Sequence, residues 1–241
     1  MSDRVAIVTG GSGGIGTAVT RHLSQNGRTV LVGFGTNEAA ASAAVDACAG
    51  KAEAIHLDVT DPETMQAAVA RAGDLGTLDV LVNNAGVAHD DLLLRAAVAG
   101  VDDTLDVNLR GAILMTQAAL RPMLRARTGR IISISSIVGL RGNAGQTAYA
   151  AAKSGLVGFS KSLAREVARK NITVNVVAPG WVETAMTADL PDAARMAFCE
   201  QAPIGRAITA DEVAAVVAFL ASDEAAAITG VVLPVDGGAA A

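Results

Sequence analysis

Aromatic residues are scarce in this sequence: only 2% of its 241 residues are Phe, Trp or Tyr, whereas 51% are apolar. The interior must therefore be filled mainly by Ala, Val, Leu and Ile. Such side chains suit helices that pack closely on buried parallel strands, so we expect an α/β fold. A chain of this length can bury a sizeable core as one domain or as two small ones.

Cysteine is also scarce, and blocks of like charge and long apolar runs are missing. The two cysteines, Cys48 and Cys199, are too few for a disulfide framework and lack the spacing of metal ligands. A net charge of −5 without such blocks argues against a protein that binds nucleic acid or an anionic membrane through charge. With no signal-peptide pattern and no long uncharged apolar stretch, we expect a soluble, cytoplasmic protein without a metal site.

A glycine-rich turn follows the first predicted strand. The run from Arg4 to Thr9 is short, β-branched and not alternating, which predicts a fully buried strand. Gly10, Gly14 and Gly16 come next, and helical periodicity starts directly after them. This order places backbone N–H groups and the positive end of a helix where a phosphate can approach. It favours nucleotide binding over a purely structural turn.

Strands and helices alternate along the rest of the chain. Further strands are predicted at 29–33, 53–57, 78–82, 130–134, 172–178 and 231–235. Helices are predicted at 37–49, from 61 onward, at 102–125 with a break near Asn108, at 146–170 and at 213–221. The alternation implies right-handed βαβ crossovers and a parallel sheet. Because no linker or repeat divides the chain, 1–241 is predicted to be one domain, with the irregular segment 183–206 as a mobile substrate lid.

Candidate catalytic side chains surround the fifth predicted strand. That strand delivers Ser135 and Ser136 to the carboxyl edge of the sheet, where open α/β sheets bind their ligands. Tyr149 and Lys153 follow on one face of a helix. A nearby ammonium favours the phenolate, so this tyrosine can exchange a proton near neutral pH. Taken alone, the pair is better explained as incidental surface residues; its surroundings favour a catalytic role.

Together these elements resemble the short-chain dehydrogenase/reductase family over nearly the whole chain. The resemblance is carried by the turn Thr9–Gly16, the loop Asn83–Gly86, Asn108, Ser136, Tyr149 with Lys153, and Pro179 with Gly180. Within the family, segments 142–146, 164–167, 172–180 and 219–224 are most similar to the 3-oxoacyl-[acyl-carrier-protein] reductases. Segments 11–14 and 33–37 are somewhat similar to acetoacetyl-CoA reductases. The resemblance implies a single-domain, Rossmann-like doubly wound fold, with a seven-stranded parallel sheet in the order 3-2-1-4-5-6-7 and helices on both faces.

The resemblance also implies a role for each catalytic candidate. A hydride passes from the nicotinamide to a ketone carbon, and Tyr149 protonates the developing alkoxide. Lys153 lowers the pKa of the tyrosine and binds the nicotinamide ribose, while Ser136 holds the carbonyl oxygen. Asn108 holds a water that links the lysine to solvent. Each residue also has a structural explanation, as a strand-end hydroxyl, a helix cap or a solvated stem, but the four at this spacing favour catalysis.

The cofactor implied by the resemblance is a nicotinamide dinucleotide. An NAD-selecting site carries an acidic side chain after the second strand, where this chain has 33–35, Gly-Phe-Gly. No basic residue replaces it, and Gly13 occupies a position that is often basic in phosphate-specific relatives. The missing acid favours NADP(H) over NAD(H). The expected cofactor contacts are Gly10, Ser12, Gly13, Gly14, Ile15, Gly16, Thr36, Asp58, Val59, Asn84, Ala85, Gly86, Tyr149, Lys153, Pro179, Gly180, Val182 and Thr184.

The sequence says less about the substrate and the partners than about the cofactor. Arg127 and Lys170 match basic positions that carrier-protein reductases offer to an acidic carrier helix, and they are equally explained as cations at helix ends. The chain departs from the reductase pattern at 88–91, 96–101 and 237–241, which affects the predicted acyl pocket and a subunit contact. The family implies a homotetramer that associates through the helix at 146–170 and the last strand.

Three functions remain open at this point. The first is NADPH-dependent reduction of a 3-oxoacyl thioester, carried by acyl carrier protein or CoA, in fatty acid synthesis. The second is acetoacetyl-CoA reduction, or a broad ketone reductase or secondary-alcohol dehydrogenase. The third is a non-catalytic nucleotide-binding subunit, since a fold alone does not fix an activity. The intact set Asn108, Ser136, Tyr149 and Lys153 speaks against the third.

Overall fold

Seven parallel strands form one sheet in the order β3-β2-β1-β4-β5-β6-β7, as predicted. The computed structural model describes residues 3–183, 196 and 199–241. The strands are β1 Arg4–Val8, β2 Thr29–Phe34, β3 Ala52–His56, β4 Thr77–Asn83, β5 Gly129–Ile134, β6 Ile172–Pro179 and β7 Val232–Val235. The five interior strands, β2, β1, β4, β5 and β6, are almost wholly buried, which explains their continuous apolar runs.

Helices cover both faces of the sheet. They are α1 Gly14–Gln25, α2 Glu38–Asp46, α3 Pro62–Leu75, α4 Val98–Leu105, α5 Ala112–Ala126, α6 Val138–Arg141, α7 Thr147–Val167 and α8 Ala210–Leu220. On one face the core is built from α3, α5 and α7, around Met65, Met115 and Leu163. On the other face α1 and α8 pack together over Leu23 and Val217. No helix in the described part of the chain is long and apolar enough to cross a membrane.

Local signals in the sequence account for the starts of α2, α3 and α8. The Asn37 side chain accepts the Ala40 N–H at 2.9 Å and caps α2, as expected. Asp61 caps α3 ahead of Pro62, and Thr209 with Glu212 forms the predicted capping box of α8.

The structure corrects two regions of the predicted helices. The helix expected to start at 102 begins at Val98, and its predicted break is a π-helix, Asp106–Gly111, between α4 and α5. The segment after β5, predicted as a loop, contains the single-turn helix α6, which is too short to leave a periodic pattern. Most of the candidate lid 183–206 lies outside the described residues, so the lid stays a prediction.

Candidate active site

Four neighbouring strands end at one edge of the sheet. The glycine turn follows β1, the loop Asn84–Gly86 follows β4, and Ser135 and Ser136 follow β5. Gly180 follows β6 at the same edge. Because these strands are parallel and adjacent, the structure brings the residues predicted from separate segments together at their carboxyl ends.

Gly10 and Gly16 of the glycine turn have no room for a side chain. Gly10 has φ +58°, and a Cβ there would lie 2.9 Å from the Ala85 Cα. A Cβ on Gly16 would lie 2.1 Å from the Gly10 carbonyl oxygen. Gly13 precedes α1 without any side-chain cap, so the first N–H groups of this helix are offered to an anion. The turn therefore has the shape and donors that a dinucleotide phosphate requires.

Hydrogen bonds of Asn84 connect the loop after β4 to the glycine turn. Its amide donates to the carbonyl oxygens of Thr9 at 3.1 Å and Gly10 at 2.9 Å. In return, the Thr9 hydroxyl accepts the N–H groups of Asn84 at 2.9 Å and Ala85 at 3.0 Å. These four bonds hold the two predicted cofactor segments in one rigid unit.

Ser136, Tyr149 and Lys153 converge beside this unit. The Ser136 hydroxyl is hydrogen-bonded to the half-buried Tyr149 phenol, and it also accepts the Val138 N–H at 3.1 Å. Lys153 is 4% exposed, and its Nζ lies 5.5 Å from the centre of the tyrosine ring. That Nζ donates to the Ile134 carbonyl oxygen at 3.0 Å. Two hydroxyls with a buried ammonium nearby can polarise one carbonyl oxygen and protonate it.

Burial shifts the pKa values of this pair in opposite directions. It raises the pKa of Tyr149 to about 12, with a further rise from Asp90 and an opposing effect of the Ser136 hydrogen bond. It lowers the pKa of Lys153 to about 8. The net shift of the tyrosine pKa is opposite to the one expected from a neighbouring ammonium, because burial of the phenol outweighs the hydrogen bond from Ser136 and Lys153 is not among the groups that shift it. The phenol is therefore held as a proton donor.

Asn108 lies in the π-helix, next to Lys153. It is 1% exposed, and its Nδ2 donates to the Val87 and Thr104 carbonyl oxygens, each at 2.8 Å. Its Oδ1 has no hydrogen-bond partner within the described residues. A Cβ built on Gly86 would lie 2.6 Å from this oxygen and 3.4 Å from the Lys153 Nζ. The asparagine, the lysine and Gly86 therefore line one small polar space, which suits the predicted water.

The far side of the predicted cofactor site lies at the ends of β2 and β3. Gly33 is buried, and a Cβ there would lie 2.8 Å from the Leu57 Cδ2, so no acidic side chain fits at this position. Thr36 is exposed, whereas the Asp58 carboxylate accepts the Thr60 N–H and hydroxyl at 2.8 and 2.7 Å. These bonds hold the Asp58 pKa below its usual value and orient its remaining oxygen.

The remaining predicted contacts lie after β6. A Cβ on Gly180 would lie 2.8 Å from the Asp236 Cα, so the turn after Pro179 packs directly on the chain beyond β7. Val182 is buried and forms a parallel bridge with Ile208. The predicted contact Thr184 lies outside the described residues.

The two predicted docking cations lie at the opposite end of α7 from the tyrosine. Lys170 follows Tyr149 by 21 residues along α7 and a 3₁₀ turn, Ala168–Lys170, which corresponds to about 30 Å at the helical rise. Arg127 is nearby, because its carbonyl oxygen accepts the Asn171 side-chain amide at 3.3 Å. Within one chain these cations do not border the catalytic edge.

Two contacts at the site were not predicted from the sequence. The buried Ser135 hydroxyl donates to the Lys153 carbonyl oxygen at 2.8 Å and ties β5 to α7. The Gln146 amide donates to the Asp90 carboxylate at 2.7 Å, although the two residues are 56 positions apart. The adjacent serines after β5 could have predicted the contact with Lys153. No local pattern predicts the contact between Gln146 and Asp90.

Comparisons with known proteins agree with the family resemblance of the sequence. Residues 10–240 match the model of a family described as enoyl-(acyl carrier protein) reductase. The 3-oxoacyl-[acyl-carrier-protein] reductase FabG of Escherichia coli (strain K12) is 48% identical over 236 residues, covering 98% of this chain and 96% of the relative. FabG of Vibrio cholerae is 46% identical over 239 residues, covering 99% and 98%. FabG of Chlamydia muridarum is 43% identical over 243 residues, with the same coverage.

Proposed function

The chain belongs to the short-chain dehydrogenase/reductase family, and on that basis we propose that it reduces a 3-oxoacyl thioester of acyl carrier protein to the 3-hydroxyacyl thioester with NADPH, in fatty acid synthesis. The observation that carries the proposal is the convergence of Ser136 and Tyr149 beside buried Lys153, at the edge that also holds the glycine turn. The relatives named above share this chain's length and are named for the same reaction.

Each side chain has a defined task in this reaction. The bound nicotinamide supplies the hydride that reduces the ketone carbon. Ser136 donates a hydrogen bond to the ketone oxygen, and Tyr149 gives that oxygen its proton. Lys153 is held by the Ile134 carbonyl and restores the phenol's proton through the polar space beside Asn108. The open amino end of α1 and the glycines that face it bind the dinucleotide phosphates.

The preference for NADPH rests on the end of β2. Gly33 leaves no space for the carboxylate that would bind a ribose 2′-hydroxyl and repel a 2′-phosphate. Ser12 and Thr36 are both accessible to solvent and offer neutral hydroxyl donors nearby. We expect a higher kcat/KM with NADPH than with NADH, and the reverse order would reject this part of the proposal.

Docking of the acyl carrier protein is proposed at the carboxyl ends of α5 and α7. Arg125, Arg127, Arg169 and Lys170 are exposed there, and none forms an ion pair within the described residues. In a chain with net charge −5, such a group of free cations attracts an acidic partner. Because the group lies about 30 Å from the tyrosine of its own chain, it serves the site of a neighbouring chain.

A homotetramer provides this arrangement. Two α7 helices related by a twofold axis across their length run antiparallel, so the cations of one chain approach the tyrosine of the other. Exposed Ala151, Ser154 and Gly158 allow such helices to pack closely. A second contact is available at the edge strand β7, where Val231 and Leu233 are exposed. Sedimentation should give four times 24.2 kDa, whereas a monomer would reject the arrangement.

A substrate panel tests the proposed activity. Initial rates are measured with NADPH and NADH on a 3-oxoacyl carrier thioester, acetoacetyl-CoA and a simple cyclic ketone. We expect the carrier thioester to have the highest kcat/KM and the simple ketone the lowest. Faster turnover of simple ketones would favour a broad ketone reductase. Dinucleotide binding without turnover of any substrate would favour a non-catalytic subunit.

A further inference from the structure

Basic side chains are scarce where the first three strands end. These strands are neighbours in the order β3-β2-β1, so their carboxyl ends lie at one edge of the sheet. The segments at these ends are 9–16, 34–38 and 56–62. Within these segments His56 is the one basic residue. A phosphate bound at this part of the edge therefore has His56 as the one cationic side chain that these segments offer.

The imidazole of His56 lacks the acidic partner that the other two histidines have. The His22 ring lies 3.0 Å from the Asp211 carboxylate, and the His89 ring lies 2.7 Å from that of Asp103. His56 is exposed, and it forms no hydrogen bond or ion pair with any residue that the structure describes. Both of its ring nitrogens are therefore available to a ligand.

Phe34 holds this imidazole in place. The two residues are register partners on neighbouring strands, and their ring centres are 5.8 Å apart at an interplanar angle of 69°. Phe34 is 9% exposed and belongs to the core beneath α2. The imidazole therefore lies on the side of the sheet where residues 35–37 connect β2 to α2. A ring held in such an edge-to-face contact loses little freedom when it binds a ligand.

Backbone hydrogen bonds join the end of β3 to the end of β2 and to the glycine turn. The Leu57 N–H donates to the Phe34 carbonyl oxygen at 2.7 Å, and the Gly11 N–H donates to the Gly33 carbonyl oxygen at 2.8 Å. Asp58 follows His56 by two positions, but its carboxylate is hydrogen-bonded to Thr60 and not to the imidazole. The three segments thus form one surface on which His56 is the unpaired base.

We propose that His56 binds the 2′-phosphate of NADPH and so sets the preference for this dinucleotide over NADH. The proposal rests on the proposed function, in which NADPH is the cofactor. Sheets of this kind recognise the ribose 2′-position at the end of the second strand, beside which His56 lies. Ser12 and Thr36 offer neutral hydroxyls, whereas an imidazolium gives a charge-assisted hydrogen bond, which is roughly twice as strong. In a chain with net charge −5, such a cation favours a phosphate at this place.

The test measures binding of the adenosine part of the dinucleotide instead of turnover. Adenosine 2′,5′-bisphosphate carries the 2′-phosphate, and adenosine 5′-monophosphate lacks it. Titration calorimetry on protein without added dinucleotide gives the dissociation constant of each nucleotide. His56→Phe keeps an aromatic ring beside Phe34 but removes both ring nitrogens, and His56→Lys restores a cation. Lys51→Gln is the matched control, because it removes a charge at the opposite end of the same strand.

Wild type should bind the bisphosphate more tightly than the monophosphate. His56→Phe should weaken binding of the bisphosphate about tenfold and that of the monophosphate less than about twofold. Lys51→Gln should match wild type, and His56→Lys should bind the bisphosphate at least as tightly as wild type does.

Three results would overturn the role of His56. The first is equal affinity of His56→Phe and wild type for the bisphosphate. The second is an equal loss for both nucleotides, because the ring would then contact a part that both share. The third is a His56→Lys variant that binds the bisphosphate as weakly as His56→Phe does.

Turnover measurements separate this proposal from the proposed function. If His56→Phe weakens binding of the bisphosphate but wild type reduces no acyl thioester, the proposed activity fails and the role of His56 stands. If wild type reduces thioesters with NADPH and His56→Phe binds NADPH as wild type does, the role of His56 fails alone. A wild type that binds both nucleotides equally tightly would overturn the NADPH preference together with the role of His56.

Discussion

At its amino end α7 buries the Lys153 ammonium and half-buries the Tyr149 phenol, whereas beyond its carboxyl end Arg169 and Lys170 are exposed. At this predicted catalytic end the lysine ammonium has a fixed partner, the Ile134 carbonyl oxygen. The cations of the other end have no ionic partner within the described residues. The amino end of α7 therefore carries a buried, fixed site, whereas solvated cations lie beyond its carboxyl end.

The difference shows how the two ends are expected to act. Burial changes the pKa values of Tyr149 and Lys153 substantially, and small displacements there alter the chemistry. Exposed cations act through a long-range field, which tolerates displacement and weakens with salt. Variants of the catalytic end should therefore change turnover of every substrate, and variants of the far end should change only the approach of a charged partner.

Lys153→Met is expected to have the largest effect in this comparison. Methionine fills the buried space with a flexible uncharged chain, but it cannot return a proton to the phenol. We expect kcat to fall by about 10²-fold or more on all acyl thioesters. Lys161→Met, on the same helix but exposed, is the matched control and should keep wild-type rates. Equal rates in both variants would remove the distinction between the two ends.

The second-largest expected effect is on the pH dependence of the free energy of unfolding. The pKa of Lys153 is about 8 in the folded protein and 10.5 when exposed, so the unfolded chain binds more protons between these values. The free energy of unfolding of wild type should therefore rise, relative to Lys153→Met, as pH increases from about 8 to 10.5. We expect a gain of about 2 kcal/mol, measured by urea unfolding at several pH values. A pH-independent difference would show that the ammonium is not desolvated.

Arg127→Ala combined with Lys170→Ala tests the far end. We expect kcat/KM to fall about tenfold on an acyl carrier thioester and less than about twofold on acetoacetyl-CoA, with a smaller loss at high salt. The matched control is Lys51→Ala with Arg71→Ala, which removes the same charge elsewhere. An equal loss on both substrates would reject the docking role.

Ser135→Ala should have the smallest effect. It removes the buried hydrogen bond to the Lys153 carbonyl oxygen and should cost about 1 kcal/mol of stability. The control is Ser162→Ala, because the Ser162 hydroxyl bonds the Gly158 carbonyl oxygen in an exposed part of the same helix. If thermal unfolding shows the same loss of stability for both variants, the buried bond from Ser135 holds the amino end of α7 no more strongly than an exposed bond within that helix does.

Much of the fold follows from local sequence signals. The buried strands are continuous apolar runs, and the caps at Asn37, Asp61 and Thr209 mark helix starts. The strand order was confirmed, although it came from the family resemblance and not from periodicity. The π-helix at Asp106–Gly111 was predicted only as a break, because its register depends on packing against neighbouring elements.

The site was less predictable than the fold. The spacing of Tyr149 and Lys153 predicted that they lie on one face of a helix. The direction of the tyrosine pKa shift did not follow from that spacing, because it is set mainly by burial. The contact between Asp90 and Gln146 joins segments that no local pattern relates. The distance of Arg127 and Lys170 from the catalytic edge also required the three-dimensional course of α7.

The central claim is that the Tyr149 phenol donates the proton to the ketone of a 3-oxoacyl thioester. Its most direct test compares wild type and Tyr149→Phe for oxidation of NADPH and formation of the 3-hydroxyacyl thioester, with dinucleotide affinity measured through the fluorescence of Trp181, the chain's one tryptophan. We predict that Tyr149→Phe binds NADPH with wild-type affinity and forms no detectable product. Product formation at the wild-type rate would contradict the account.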